Sequence, residues 1–203
     1  MKQLTLFFKR ALDIIGAVCG LIVLSPLFII VALWIKYDSK GDIFFRQVRV
    51  GKHGENFRIH KFRTMYPDSE RKSGLTIGKD NRITPSGVFL RKYKVDELAQ
   101  LIDVLYGDMS LVGPRPEIPE FMNLYAPELR EKILSVKPGM TDKASIEMID
   151  ENDILGKYDD PRQAYIDVIM PMKAKYYVEY AENISVFRDI KLIIETVIKI
   201  VVR

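Results

Sequence analysis

From Ile14 to Ile35 the chain reads IIGAVCGLIVLSPLFIIVALWI, an uncharged apolar run between Asp13 and Lys36 that is long enough to cross a bilayer as one helix. It is too long for the apolar core of a secretory leader, and no small-x-small cleavage site closes it. Pro26 falls near its middle, where it cannot donate to the carbonyl of Ile22; a kink is expected there, with Ser25 able to help satisfy the freed backbone. Basic residues flank both ends, Lys2, Lys9 and Arg10 before and Lys36, Lys40, Arg46 and Arg49 after. Charge therefore gives no sidedness, and a straight span and an in-and-out hairpin both remain open.

Past Lys36 the pattern becomes that of a water-soluble domain. IFFRQVRV (43–50) and FRIHKFRTM (57–65), joined by a turn-rich link from Gly51 to Asn56, read as two strands of a hairpin. Alternation puts Ile59, Lys61 and Arg63 on one face. Residues 67–83 read as a polar loop with a short helix at its start. Thr84-Pro85 is a helix entry, a cap followed by proline at the first helical position. Leu98, Leu101, Ile102 and Leu105 then follow at helical spacing behind Asp96-Glu97, with Gly107 as the stop.

A further helix is expected over about 120–134, bearing Phe121, Leu124, Tyr125, Leu129 and Ile133, before a Lys137-Pro138-Gly139 turn. Residues 142–160 are acidic and weakly patterned, and 161–182 look helical. From Val186 to Arg203, Arg188, Lys191, Glu195 and Lys199 form one stripe opposite a broad aliphatic face. Such a segment suits either an interfacial helix or an ordinary packed one.

At 203 residues the chain suits one domain with a real core. The 31 basic against 27 acidic residues leave a net charge of +4, which fits an anionic membrane surface and, with the apolar run, argues against nucleic acid. The lone Cys19 excludes a disulfide framework. With only His53 and His60 available, any metal should be a hard cation held by carboxylates and phosphate oxygens.

The candidate chemistry centres on Asp96-Glu97, an acid pair at a helix start that could equally be ordinary capping. Lys61 and Arg63 could point together at one anion, or form a solvated edge that blocks strand pairing. In Gly113-Pro114-Arg115-Pro116 two prolines restrict the backbone around one guanidinium. A rigid arginine near two carboxylates suggests phosphate chemistry. Lys137 at its turn could meet an anion or simply face solvent.

LSPLF in the apolar run, KFRTM at 61–65, RKxxxDELxQL at 91–101, SLVGPRPE at 110–117 and KPG at 137–139 come in the order and spacing of one family. Over nearly its whole length the chain resembles the small monotopic bacterial phosphoglycosyl transferases, the undecaprenyl-phosphate sugar phosphotransferases of the bacterial sugar transferase family. The resemblance implies an α/β enzyme, largely helical with a small antiparallel sheet. Residues 1–36 would be a re-entrant helix-break-helix anchor centred on Ser25-Pro26, and 37–203 a catalytic domain with interfacial helices on the cytoplasmic face of the bacterial inner membrane. It further implies transfer of a sugar phosphate from a UDP-sugar to a polyprenyl phosphate with release of UMP, the first membrane step of glycoconjugate assembly. Asp96 would be the nucleophile of a covalent phospho-sugar intermediate, Asp96 and Glu97 the carboxylates at Mg2+, and Lys61, Arg63 and Arg115 the cations on the phosphates. Asp189 matches an acidic position in the family's YxxNxSxxxD ending, over Tyr180 to Asp189.

The sequence departs from the family at Tyr93, at Ala99 and, more seriously, at TDKASIEMIDEN (141–152), where many members carry a GxAQVNGRN-like loop. Its sugar therefore does not carry over. Membrane lipid is an expected partner, homo-oligomers and downstream glycosyltransferases are further candidates, and a catalytically inactive membrane scaffold or polyprenyl-phosphate-binding adaptor is the rival reading.

Overall fold

A computed structural model describes residues 2–67, 80–148 and 151–202. Most of the expected 67–83 loop lies outside the described residues. The apolar run belongs to a single helix, α1 (Lys2–Asp38), that includes Pro26. Ser25 Oγ donates to the Ile22 carbonyl at 2.8 Å, the oxygen that proline leaves without its usual donor. Helical geometry therefore continues through Ser25-Pro26, and the expected break is reduced to one missing ladder bond.

One face of α1 packs on the domain. Ala17, Val31 and Ile35 are buried among Ile59, Phe62, Leu90, Ala99, Leu101 and Val104. The other face leaves Ile15, Ile22, Val23, Ile29, Ile30 and Leu33 exposed. In water each such side chain would forgo about 1.5–3 kcal/mol of burial, so this face is built for lipid.

Polar tethers hold both ends of α1. Lys9 Nζ donates to Val112 O (2.9 Å) and Asp189 Oδ2 (2.7 Å), and Asp13 Oδ1 accepts from Ser110 Oγ and Leu111 N, both at 2.9 Å. At the far end Asp38 Oδ2 accepts from Ser86 N (2.9 Å) and Ser86 Oγ (2.6 Å).

Strands β1 (Phe44–Val50) and β2 (Asn56–Phe62) form the expected antiparallel hairpin, with Phe45 opposite Lys61 and Gln47 opposite Ile59. β2 stops at Phe62, three residues short of expectation. Helix α2 (Pro85–Lys92) starts as read, with the Thr84 hydroxyl accepting from Gly87 N at 3.0 Å.

A 3-10 helix (Val95–Gln100) runs into α3 (Leu101–Tyr106), which ends at Gly107 with φ +96°. The change of helix type alters the phase of the buried face. Asp96, Ala99, Gln100, Leu101, Asp103 and Val104 point inward, while Leu105, expected inside, is exposed.

β3 (Ser110–Val112) pairs with β4 (Gly139–Thr141) in parallel, a contact the pattern did not announce. The single helix expected over 120–134 is two, α4 (Pro119–Met122) and α5 (Pro127–Leu134), because Pro127 begins a new helix instead of continuing the old one. Short helices α6 (Lys143–Glu147) and α7 (Glu151–Leu155) follow. The 161–182 stretch is helical as expected, as α8 (Pro161–Ala164), a π turn (Tyr165–Ile169) and α9 (Met170–Glu182). Phe121, Met122, Tyr125, Ile133, Leu155, Ile169 and Tyr177 form the core between these helices.

Helix α10 (Val186–Val201) turns Asp189 and Leu192 inward and leaves Phe187, Ile190, Ile194, Val197 and Ile198 exposed. Of its two readings, the interfacial helix is the one this face supports. Asp189 is 1% exposed, accepts from Lys9 and from Tyr180 Oη (2.9 Å), and so joins α10 to α1. Asp189→Ala strands a buried ammonium, and we expect a stability loss of about 3 kcal/mol in detergent, with Lys9→Met/Asp189→Ala recovering part of it. Thermal unfolding of the two variants checks this; equal stability of Asp189→Ala and wild type would contradict the tether.

Candidate active site

Asp96 and Glu97 lie in the first turn of the 3-10 helix, preceded by Lys94, a non-glycine residue with φ +57°. Backbone in that region is uncommon for lysine and marks a locally strained approach to the acid pair. Capping does not explain the pair, since no side-chain cap bond forms at this helix start.

Glu97 is braced by two cations. Lys61 Nζ donates to Oε1 at 2.9 Å, and Arg115 grips the same carboxylate in bidentate fashion, Nη1 to Oε2 at 3.0 Å and Nη2 to Oε1. Burial would raise the Glu97 carboxyl, but Arg115 and Lys61 outweigh it and hold the group well below the usual carboxylate range. Glu97 in turn raises Arg115 well above the ordinary guanidinium value.

Asp96 is the opposite case. It is 7% exposed, and its Oδ1 is buried without a hydrogen-bond partner. Burial, reinforced by the Glu97 charge, pushes its carboxyl up to about 6, against the pull of Lys61, Lys94 and Arg91. One acid is thus spent on cations and its neighbour is left with a bare oxygen.

Arg115 reaches Glu97 from an arm stitched to the KPG turn: Gly139 N donates to Pro114 O (2.9 Å), Gly113 N to Thr141 O (3.0 Å) and Ser110 N to Pro138 O (2.8 Å). The backbones approach so closely that a Cβ on Gly139 would sit 2.1 Å from Gly113 N. Gly139→Ala should therefore cost about 2–4 kcal/mol and displace the arginine arm, a loss readable by thermal unfolding. Near-wild-type stability would show that the two strands can separate freely.

Of the cations expected on the phosphates, Lys61 and Arg115 are brought together and Arg63 is not. Because β2 ends at Phe62, alternation fails one residue later, and the Arg63 guanidinium donates to Lys40 O (2.7 Å) and Ser39 O (2.8 Å) just past the end of α1. Asp189 belongs to the α1–α10 tether, Lys137 sits by Gly107, and Ser25-Pro26 lie in the lipid-facing helix.

Several residues escaped sequence reasoning. Arg49 holds the arm through Pro116 O (2.9 Å), and its Nε is buried without a partner. Arg91, already visible in the RKxxxDELxQL pattern, donates to Thr64 Oγ1 at 2.8 Å. His60 donates from its backbone N to Asp103 Oδ2 (2.8 Å) and lies 2.6 Å by Nδ1 from Oδ1, locking the strand that carries Lys61 onto α3. No sequence spacing announces these three contacts, which join residues at least 27 positions apart.

Among the described residues no group of three or more His, Cys, Asp or Glu could hold a metal ion. The bare Asp96 oxygen nevertheless fits a hard cation whose remaining positions are filled by phosphate oxygens and water. Glu97 is less open to such an ion, since Lys61 and Arg115 occupy both its oxygens.

The structure thus sets an acid pair and two fixed cations on a domain whose α1 and α10 expose apolar faces. The Bacterial sugar transferase family profile matches residues 4–203. The chain belongs to that family. It is 35% identical over 195 residues to a UDP-N-acetylgalactosamine-undecaprenyl-phosphate N-acetylgalactosaminephosphotransferase of Aeromonas hydrophila, covering 94% of this chain and 43% of that protein. It is 36% identical over 203 residues to a UDP-glucose:undecaprenyl-phosphate glucose-1-phosphate transferase of Klebsiella pneumoniae (98% and 41%). With the exopolysaccharide production protein PSS of Rhizobium leguminosarum bv. phaseoli it shares 35% identity over 209 residues (95% and 94%). The chain thus spans less than half of the first and second of these relatives and nearly all of the third.

Proposed function

We propose that this protein transfers a sugar phosphate from a UDP-sugar to undecaprenyl phosphate, giving a polyprenyl diphosphate-sugar and UMP at the cytoplasmic face of the bacterial inner membrane. The observation that carries this is the unequal acid pair: Glu97 locked to Lys61 and Arg115, and Asp96 with a buried, unpartnered oxygen. Relatives named for undecaprenyl-phosphate sugar phosphotransfer support the substrate classes.

In the first step an Asp96 carboxylate oxygen attacks the phosphorus that bears the sugar, the bond to the bridging oxygen breaks, and UMP leaves with that oxygen. In the second, a phosphate oxygen of the polyprenyl phosphate attacks the same phosphorus and the Asp96 carboxylate leaves. Lys61 and Arg115 offset the negative charge that gathers as a carboxylate approaches a diphosphate. Mg2+ bound at Asp96 would supply further charge neutralisation and stabilise the departing UMP.

The membrane geometry suits a lipid acceptor. Both ends of α1 are tied to the same domain, at Lys9 and Asp38, and its apolar face between them is open. A bilayer-crossing helix would hold about 20 residues clear of the domain, so these tethers support an anchor with both ends on one side. On this reading residues 1–36 are the anchor and 37–203 the catalytic domain, whose product passes to membrane glycosyltransferases.

The test is to incubate detergent- or nanodisc-held protein with Mg2+ and a panel of UDP-sugars. A covalent route predicts a UMP burst stoichiometric with enzyme before any acceptor is added, and steady turnover once undecaprenyl phosphate is supplied. Acceptor-dependent UMP release with no burst would reject the intermediate. No release with any sugar, alongside tight polyprenyl phosphate binding, would favour the adaptor.

A further inference from the structure

Two cations gather at the C-terminal end of α3, away from the acid pair. A Cβ built on Gly107 would lie 3.4 Å from both Arg10 Nη2 and Lys137 Nζ, so a guanidinium and an ammonium converge on one point. Arg10 is accounted for, since it closes α3 by donating to Val104 O (2.8 Å) and Leu105 O (3.0 Å). Lys137 is not: among the described residues its ammonium makes no hydrogen bond and no ion pair. Burial, with the charges of Arg10 and Lys52, pushes Lys137 down from its ordinary value, while Asp13 and Asp108 pull the other way. Asp13 is already engaged by Ser110 and Leu111.

With Asp13 spent on its own donors and, among the described residues, no ion pair from Asp108 to either cation, the converging like charges call for an anion. This is not the acid-pair site: Asp96 lies at the opposite end of the 3-10 helix and α3, roughly 15–20 Å along the chain axis. Position argues for a lipid. Arg10 sits on α1 between Phe7, 67% exposed, and Ile14, and Tyr106, 74% exposed, precedes Gly107. The cations therefore rim an outward apolar surface. Arg10 keeps unused N–H donors and Lys137 has three, which suits the two free oxygens of a phosphodiester.

We propose that Arg10 and Lys137 bind the phosphodiester of an anionic membrane phospholipid whose acyl chains lie along the exposed face of α1. This rests on the reading of α1 as lipid-embedded.

The experiment is vesicle flotation of the full chain with phosphatidylcholine alone and with about one-third phosphatidylglycerol. Lys137→Gln removes one of the two cations and leaves Arg10 on its helix end. Lys175→Gln, at an exposed position elsewhere, removes the same charge as a control. We expect the phosphatidylglycerol preference to fall about fivefold in the first variant and less than about twofold in the control. Equal losses would reduce the preference to bulk electrostatics and overturn the site. No wild-type binding to either vesicle would instead overturn the lipid-embedded α1, and the site with it. Calorimetric binding of soluble glycerol phosphate, lost in the first variant with no vesicle difference, would assign the cations to a free phosphate and overturn the lipid.

Discussion

Asp96→Asn is expected to abolish turnover, by about 10⁴-fold or more, while making the protein more stable at neutral pH. The two effects share one cause. The carboxyl is buried, its Oδ1 has no donor, and burial with the Glu97 charge pushes it up to about 6, above the ordinary 3.8. Ionisation in the folded state is therefore costly. Between about pH 4 and pH 6 the folded protein holds a proton that the unfolded chain has released, so this group's contribution to stability falls as pH rises through that window. Above it the cost is fully present, at most about 2–3 kcal/mol.

Asparagine has nothing to ionise. Its melting temperature should exceed the wild-type value at pH 7.5 in EDTA, and the gap should close below about pH 4. The wild-type kcat/KM should lose activity as pH drops through about 6 instead of about 4, because the attacking group must be ionised. Normal turnover by Asp96→Asn would remove the nucleophile from the mechanism. A variant no more stable than wild type at pH 7.5 would show that the Asp96 charge is already compensated.

Glu97→Ala is expected to do the reverse to stability, lowering it by about 3–5 kcal/mol. Its carboxylate is the common partner of Lys61 and Arg115, and deleting it leaves two largely buried cations facing each other. Turnover should fall as well, for want of positioned cations. Arg115→Met in the Glu97→Ala background should return part of the stability, about 1–2 kcal/mol, and none of the activity. Denaturant unfolding of the four proteins of this cycle measures the coupling. If Glu97→Ala unfolds at the wild-type midpoint, the bidentate pair is not what holds the Gly113–Pro116 arm in place.

Much of this site was legible in order and not in space. Lys61, Asp96, Glu97 and Arg115 stand in motifs that can be read by eye, and the hairpin and the α2 entry were announced by alternation and by Thr84-Pro85. Arg63 shows where reading by period fails. Strand alternation holds only while the strand lasts, and β2 ends one residue before it. The helix after Asp96 fails similarly, because a 3-10 start resets the phase and the site's own polar residues take the inward face. Arg49 and the His60–Asp103 lock had no local signature, since their partners are brought near only by packing.

By itself the sequence determined the elements whose causes are local: the long apolar helix, the hairpin, the cap at Thr84, the stop at Gly107, and the residue types of an acid pair with fixed cations. Those depend on side-chain periodicity, backbone preference and charge within a few residues. Only the tertiary structure decided which cation meets which carboxylate, that Glu97 is occupied while Asp96 is bare, that Asp189 ties α10 to α1, and that Lys137 faces Arg10. These depend on distances between segments far apart in the chain and on which groups lose water together, and burial of an ionisable group is a property of the whole packed assembly.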